Sequence, residues 1–234
     1  MDTTTWRKLV PIALCALLAI AGAYGVGAPW LHWVTKPATT LALAWLVAAA
    51  APVEPRYRLA ILVGLALSTL GDVFLMLPGD WFVAGLASFL AAHIAYLVAL
   101  TRRAAFFARR WPFAAYLALG AVVFGVLWPD LPDGLHAPVG VYVVVLAAMA
   151  AQAAAVWRAR PDAVTASAAL GGAFFVASDA TLAIDRFTAP FDAARAVVLA
   201  TYWIAQALIA LSVVRAGSLE PSPPNATRLG ERVG

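Results

Sequence analysis

The sequence predicts an all-α, polytopic transmembrane bundle of about eight helices with both termini on the cytoplasmic side. Three observations carry that expectation: composition, the spacing of apolar runs, and the sorting of charge. Of 234 residues, 64% are apolar and 12% are charged, against about 45–50% and about 25% in soluble domains. A mean hydropathy of +0.86 leaves too little polar surface to cover a water-soluble globule.

A membrane helix needs about 20 mostly apolar residues, and eight such runs occur, at 9–28, 36–52, 59–77, 81–100, 112–128, 138–157, 164–184 and 194–214. Proline supports these cuts. Pro29, Pro37, Pro52, Pro55, Pro78, Pro112, Pro129, Pro132, Pro138, Pro161 and Pro190 fall at or between run ends. Pro11 lies inside a run, in what reads as its first turn, where the missing N–H has no helical partner to lose.

Charge then sorts by side. With the N-terminus inside, 13 of the 16 Lys and Arg residues fall on inner segments, and only Lys36, Arg186 and Arg195 on outer ones. This positive-inside bias places both termini in the cytoplasm. It also accounts for the pI near 9.6 without invoking nucleic acid. Arg7-Lys8 followed by an apolar stretch and Ala21-Gly22-Ala23 imitates a secretory signal peptide. The run is long for that role, and a retained first span is expected. The organisation expected is one transmembrane domain over 1–216 and a disordered cytoplasmic tail over 217–234, where Pro-Ser-Pro-Pro replaces apolar residues.

Ionisable residues inside the runs are few: Asp72, Asp179, His93, and Lys36 at the entrance of the second run. A charge at membrane depth costs several kcal/mol, so such residues usually face the bundle interior and mark function. Asp72 and Asp179 each lie five residues before the outer end of their run, roughly 8 Å below the edge of the apolar layer. Around them, Ala66–Leu75 and Ala173–Leu182 match weakly at an offset of 107, sharing Ala, Asp and Leu. That offset suits a parallel four-plus-four repeat with the two carboxylates as counterparts. One Cys and three scattered His residues form no metal-ligand spacing, and neither metal nor cofactor is expected.

Helical spacing gathers small and aromatic residues beside these groups. Gly64, Ser68, Gly71 and Asp72 share a face, as do Gly171, Gly172, Phe175 and Asp179. Phe82, Gly85, Phe89, His93 and Tyr96 form a stripe on the fourth run, and Tyr202 and Gln206 give the eighth a polar inward face. Small residues let membrane helices approach closely, and aromatic stripes are commonly core. His93 and Tyr96 add polar groups that need partners.

Five motifs in order carry a family resemblance. They are Thr35-Lys36-Pro37-Ala38-Thr39-Thr40; Ser68-x2-Gly71-Asp72-x2-Leu75-Met76; Phe82-x2-Gly85-x3-Phe89-x3-His93-x2-Tyr96; Gly172-Ala173-x-Phe175-x2-Ser178-Asp179; and Tyr202-x3-Gln206. Together they resemble the YhhN-type lysoplasmalogenase family over about residues 36–210. The resemblance implies an eight-helix membrane enzyme, in bacteria a protein of the inner membrane. It would cleave the vinyl ether bond of a lysophospholipid with one long alkenyl chain, giving a fatty aldehyde and a glycerophospho-base. It makes Asp72 and Asp179 the catalytic pair. It makes Lys36, Thr40, Ser68, His93, Tyr96, Ser178, Tyr202 and Gln206 the residues that line the substrate site.

The chemistry fits the residues independently. Vinyl ether hydrolysis needs an acid to protonate the distal alkene carbon and an anion to stabilise the oxocarbenium ion and activate water. Two carboxylates in a dry pocket suit both tasks, because burial and mutual repulsion keep a proton on one while the other stays ionised. They should stand roughly 3–8 Å apart, by analogy with paired-carboxylate hydrolases, in a cavity opening to the outer side. Lys36 is placed to meet a lipid phosphate at the outer interface, with Gln206 among the deepest residues. Two other readings compete: another lipid-modifying enzyme on the same scaffold, and a proton-coupled transporter. Carriers typically use helices broken near the midplane, and the proline pattern here speaks against that.

Overall fold

A computed structural model of the chain describes residues 3–28, 30–51 and 53–218. They form eight α-helices: α1 (Thr3–Ala23), α2 (Trp30–Ala48), α3 (Pro55–Phe74), α4 (Phe82–Thr101), α5 (Arg110–Leu127), α6 (His136–Ala159), α7 (Ala163–Phe187) and α8 (Ala194–Ser218). Two short 3-10 turns join α5 to α6, and no strand occurs among the described residues. The tail expected from 217 begins inside α8, and the rest of it lies outside the described residues.

Seven of the eight helices are long and apolar enough to cross a bilayer. The exception is α2, where His32, Thr35, Lys36, Thr39 and Thr40 dilute the apolar content of the first half. The eight apolar runs are thus eight helices, of which seven meet the requirement for a span. The chain is a multi-pass integral membrane protein. Short connections make successive helices antiparallel, so Arg56, Arg102, Arg103, Arg160 and Arg215 gather at one end, here the basic end. The C-terminal ends of α3 and α7 and the N-terminal ends of α2 and α8 meet at the other.

Several boundaries differ from the expected runs, each for a local reason. α1 begins at Thr3 and stops at Ala23, not 28, because Gly25 and Gly27 adopt φ of +76° and +87°, which no right-handed helix continues. Pro11 is therefore interior to α1, not in its first turn. α2 begins at Trp30, so Pro37 lies inside it and Lys36 is its seventh residue, not its entrance. Thr35 and Thr39 bond back to the carbonyls of Leu31 and Thr35 at 2.6 and 2.7 Å, satisfying two hydroxyls within the helix. The helix runs through Pro37 unbroken. α3 ends at Phe74 and α7 at Phe187, so Asp72 is in a last turn while Asp179 is about two turns from its helix end. The two aspartates are not at equal distances from their helix ends.

The closest seams are α3 on α4 and α7 on α8, and small residues permit both. A Cβ on Gly71 would stand 2.7 Å from the Phe89 ring, and one on Gly171 would stand 2.8 Å from Ile209 Cγ1. The central core joins Leu43, Leu65, Tyr96, Met149, Phe175 and Tyr202, drawn from five different helices plus α2. α1 and α5 sit at the periphery, with 6% and 17% of their spans buried within the bundle.

Candidate active site

Asp72 is brought into the interior by the last turn of α3, and its residue is 1% exposed. Burying a carboxylate requires partners, and three converge on it. Thr40 Oγ1 donates to Oδ2 at 2.9 Å, Tyr202 OH donates to the same oxygen at 2.8 Å, and Lys36 Nζ stands 3.7 Å from Oδ1. Thr40 and Tyr202 are themselves 3.4 Å apart. The spacing of Lys36 and Thr40 explains the α2 contribution: four residues apart, they project from one face toward α3.

Asp179, on α7, has a different setting. Tyr142 OH on α6 donates to Oδ2 at 2.6 Å, a short hydrogen bond. His93 Nε2 on α4 approaches the same oxygen at 3.9 Å, too far for a direct hydrogen bond. The His93 ring is held edge-on to Phe175 and Tyr142, with centroids 4.9 and 5.4 Å away. Neither ring nitrogen of His93 has a hydrogen-bond partner, although the residue is fully buried.

Both aspartates line one pocket of about 490 Å³. Lys36, Ser178 and Tyr202 share its wall, with His32, Trp33, Asp185, Arg186 and Arg195 toward the ends of α2, α7 and α8. Asp179 also lines a second, apolar crevice between α4, α5, α6 and α7, floored by Leu86, Tyr116, Leu119, Val123, Leu146 and Val176. Leu75, Phe82, Phe89, Asp179 and Leu182 belong to both walls, so polar mouth and apolar crevice meet at Asp179. The site is a polar vestibule leading into a hydrocarbon-lined slot.

The other residues singled out from the sequence take different places. Ser178 lines the pocket but donates to the Val198 carbonyl at 3.1 Å, tying α7 to α8. Thr40 touches Asp72 from outside the pocket wall. Ser68, Tyr96 and Gln206 form a buried group behind it: Tyr96 OH donates to Gln206 Oε1 at 2.7 Å and stands 3.4 Å from Ser68 Oγ. Farther toward the basic end, Tyr57, Ile61, Tyr96, Leu100, Met149 and Ile209 enclose a crevice with no room for a water molecule. A plug therefore separates this pocket from the larger, arginine-lined cavity at the basic end.

Two features escape the sequence reading. Lys36 is 7% exposed and stands 3.7 Å from Asp72 on the pocket wall, inside the bundle and not at its outer interface. Tyr142 went unrecognised because it sits in the apolar run of α6. A tyrosine with only aliphatic neighbours in such a run is itself a signal, since a buried phenol needs a hydrogen-bond partner. Among the described residues, no three His, Cys, Asp or Glu side chains gather as metal ligands.

Comparison with known proteins gives the chain its relatives. The model of the YhhN family matches residues 31–213. A Mycobacterium bovis protein named lysoplasmalogenase is 37% identical over 194 residues, covering 76% of this chain and 70% of the relative. Lysoplasmalogenase TMEM86A of Bos taurus is 34% identical over 174 residues, covering 69% and 67%. The membrane protein YhhN of Escherichia coli is 28% identical over 209 residues, covering 88% and 98%. No solved structure matches. With a family match spanning α2 to α8, and all of the residues around Asp72 and Asp179 inside it, this chain is a member of the YhhN family.

Proposed function

We propose that the protein is a lysoplasmalogenase, a hydrolase acting on lysophospholipids that bear one long alkenyl chain. The observation that supports this most directly is the position of Asp179, at the junction of a polar vestibule and an apolar slot. A single-chain lipid is amphipathic in the same sense. Its hydrocarbon tail belongs in the slot, its glycerol and headgroup in the vestibule, and its vinyl ether at the junction. The relatives named lysoplasmalogenase support the same reading. By the positive-inside rule the basic end faces the cytoplasm and the vestibule the opposite side, of a bacterial inner membrane in the simplest case.

The two carboxyl groups divide the chemistry by their surroundings. Asp72, matched by Lys36 and two hydroxyl donors, is the ionised partner. Asp179 faces hydrocarbon with no fixed cation against it, which suits a proton donor. Asp179 protonates the distal alkene carbon, and the resulting oxocarbenium ion lies beside the Asp72 carboxylate. Asp72 takes a proton from water as the oxygen adds to the cationic carbon. The hemiacetal then collapses: its hydroxyl proton returns to Asp179 and the Asp72 proton passes to the departing glycerol oxygen. Alkene and water become fatty aldehyde and glycerophospho-base, and both carboxyl groups end as they began. Tyr142 holds Asp179 toward the junction.

The test is aldehyde release by purified protein from 1-alkenyl, 1-alkyl and 1-acyl lysophospholipids. Aldehyde from the alkenyl lipid alone is expected. Fatty acid from the acyl lipid would instead favour a different lipid hydrolase, and no product from any would overturn the reading.

A further inference from the structure

A second cavity, of about 800 Å³, lies at the basic end, beyond the waterless plug from the aspartates. Its wall carries Arg56, Arg102, Arg103 and Arg160 against Glu54 and Asp162. Both carboxylates are committed. Asp162 caps the first turn of α7 and pairs with Arg160 at 3.0 Å. Glu54 Oε2 accepts from Arg103 Nε at 2.8 Å. Arg56 and Arg102 are exposed and have no ion-pair partner among the described residues. Arg103 differs from the other three. Its side chain is 8% exposed and held on three sides: by Glu54, by the Ser212 carbonyl, which accepts from Nη2 at 3.1 Å, and by the Tyr57 ring, whose centroid is 3.5 Å from Cζ. Its Nη1 nevertheless has no hydrogen-bond partner. A buried charged donor without an acceptor is costly, so a guanidinium fixed in this way calls for one. The same contacts hold it against the start of α3, where Glu54 is the N-cap and Tyr57 lies in the first turn. With Glu54 engaged by Arg103, no side chain caps that turn, and its amides and positive dipole end are left for an anion.

We propose that this cavity binds a phosphate group, with Arg103 Nη1 and the first-turn amides of α3 as its fixed donors and Arg56 and Arg102 as outer cations. A planar guanidinium with free donors matches phosphate oxygens, and a helix N-terminus adds oriented amides. Four arginines and two carboxylates leave the wall two positive charges in excess, which suits a phosphate mono- or dianion. The same oxyanion is presented by a soluble phosphate ester and by the headgroup of an anionic phospholipid. The site does not depend on the hydrolase reading, because its wall shares no residue with the pocket of Asp72 and Asp179.

Two measurements on the full chain test the site and separate the sources. In detergent, inorganic phosphate is titrated calorimetrically at constant ionic strength against a chloride blank. In nanodiscs of mixed phosphatidylcholine and phosphatidylglycerol, the lipid that stays with the released protein is counted by native mass spectrometry. Saturable phosphate binding without lipid preference identifies a soluble ester, and retention of phosphatidylglycerol over phosphatidylcholine identifies a headgroup. Arg103→Lys keeps the charge beside Glu54 but removes Nη1, and should weaken whichever binding is seen at least about 10-fold. Arg56→Gln combined with Arg102→Gln alters only exposed side chains and should weaken it about 3- to 10-fold. Arg109→Gln combined with Arg110→Gln removes the same charge from the same end, outside the cavity wall, and should leave binding unchanged. Equal losses in the two double variants would mean diffuse attraction to a basic surface and overturn the site. So would an Arg103→Lys protein that unfolds like the parent and binds like it, or the absence of binding in both measurements.

Discussion

Asp72 and Asp179 face the same pocket, yet one is enclosed by partners and the other is nearly alone. Asp72 has an ammonium group at 3.7 Å and two hydroxyl donors within 2.9 Å. Asp179 has one phenol at 2.6 Å, an imidazole at 3.9 Å, and hydrocarbon beyond. The contrast teaches that two identical side chains in one cavity acquire opposite duties from the elements that approach them. α2 and α8 bring compensation to the first; α4, α5 and α6 bring apolar surface to the second.

The largest effect should come from removing the proton altogether. Asp179→Asn and Asp72→Asn should each lower aldehyde turnover at least about 100-fold, the usual worth of a positioned acid or base, with binding of an alkyl ether analogue little changed. The double variant should be little worse than the worse single one. Near-normal turnover in either single variant would break the division of labour.

Stability should separate the two residues where activity does not. Asp72→Asn strands Lys36, which is 7% exposed, and should cost about 3 kcal/mol in thermal or chemical unfolding. Adding Lys36→Met should restore stability without restoring turnover. Asp179→Asn breaks no comparable pair and should unfold close to the parent. Equal losses in the two single variants would mean that Lys36 does not need Asp72.

The hydroxyl donors give a finer comparison. Tyr142→Phe removes the one hydrogen bond that orients Asp179 and should cost about 10-fold in kcat, with KM nearly constant. Tyr202→Phe leaves Asp72 with Thr40 and Lys36, and should cost no more than about 3-fold. Reversal of that order would reassign the more dependent carboxylate.

Packing behind the pair should respond more weakly and without regard to catalysis. A Cβ on Gly64 would stand 2.2 Å from Tyr96 Cε1, so Gly64→Ala should cost about 1–3 kcal/mol of stability as the ring and its bond to Gln206 give way. Gly125→Ala meets nothing within 4 Å and should stay within about 0.5 kcal/mol of the parent. Unfolding midpoints of the two variants in the same detergent check the difference.

Much of this was readable in one dimension. The cost of taking backbone and charge out of water is paid residue by residue, so apolar runs, basic loops and the isolated Asp72 and Asp179 stand out without any coordinates. Helical periodicity likewise placed Gly71 with Asp72 and Phe175 with Asp179 on common faces. The boundaries of α1 and α2 were less legible. Lys36 read as the entrance of a helix, yet it sits inside one, where Asp72 on the neighbouring helix pairs with it. Which face meets which is decided only when the helices pack. The pairing of Lys36 with Asp72, the reach of Tyr142 to Asp179, and the junction of vestibule and slot join residues 36 to 170 positions apart. No local rule connects such positions. Their contacts follow from the fit of small residues and aromatic rings along the α3–α4 and α7–α8 seams, which is a property of the bundle as a whole.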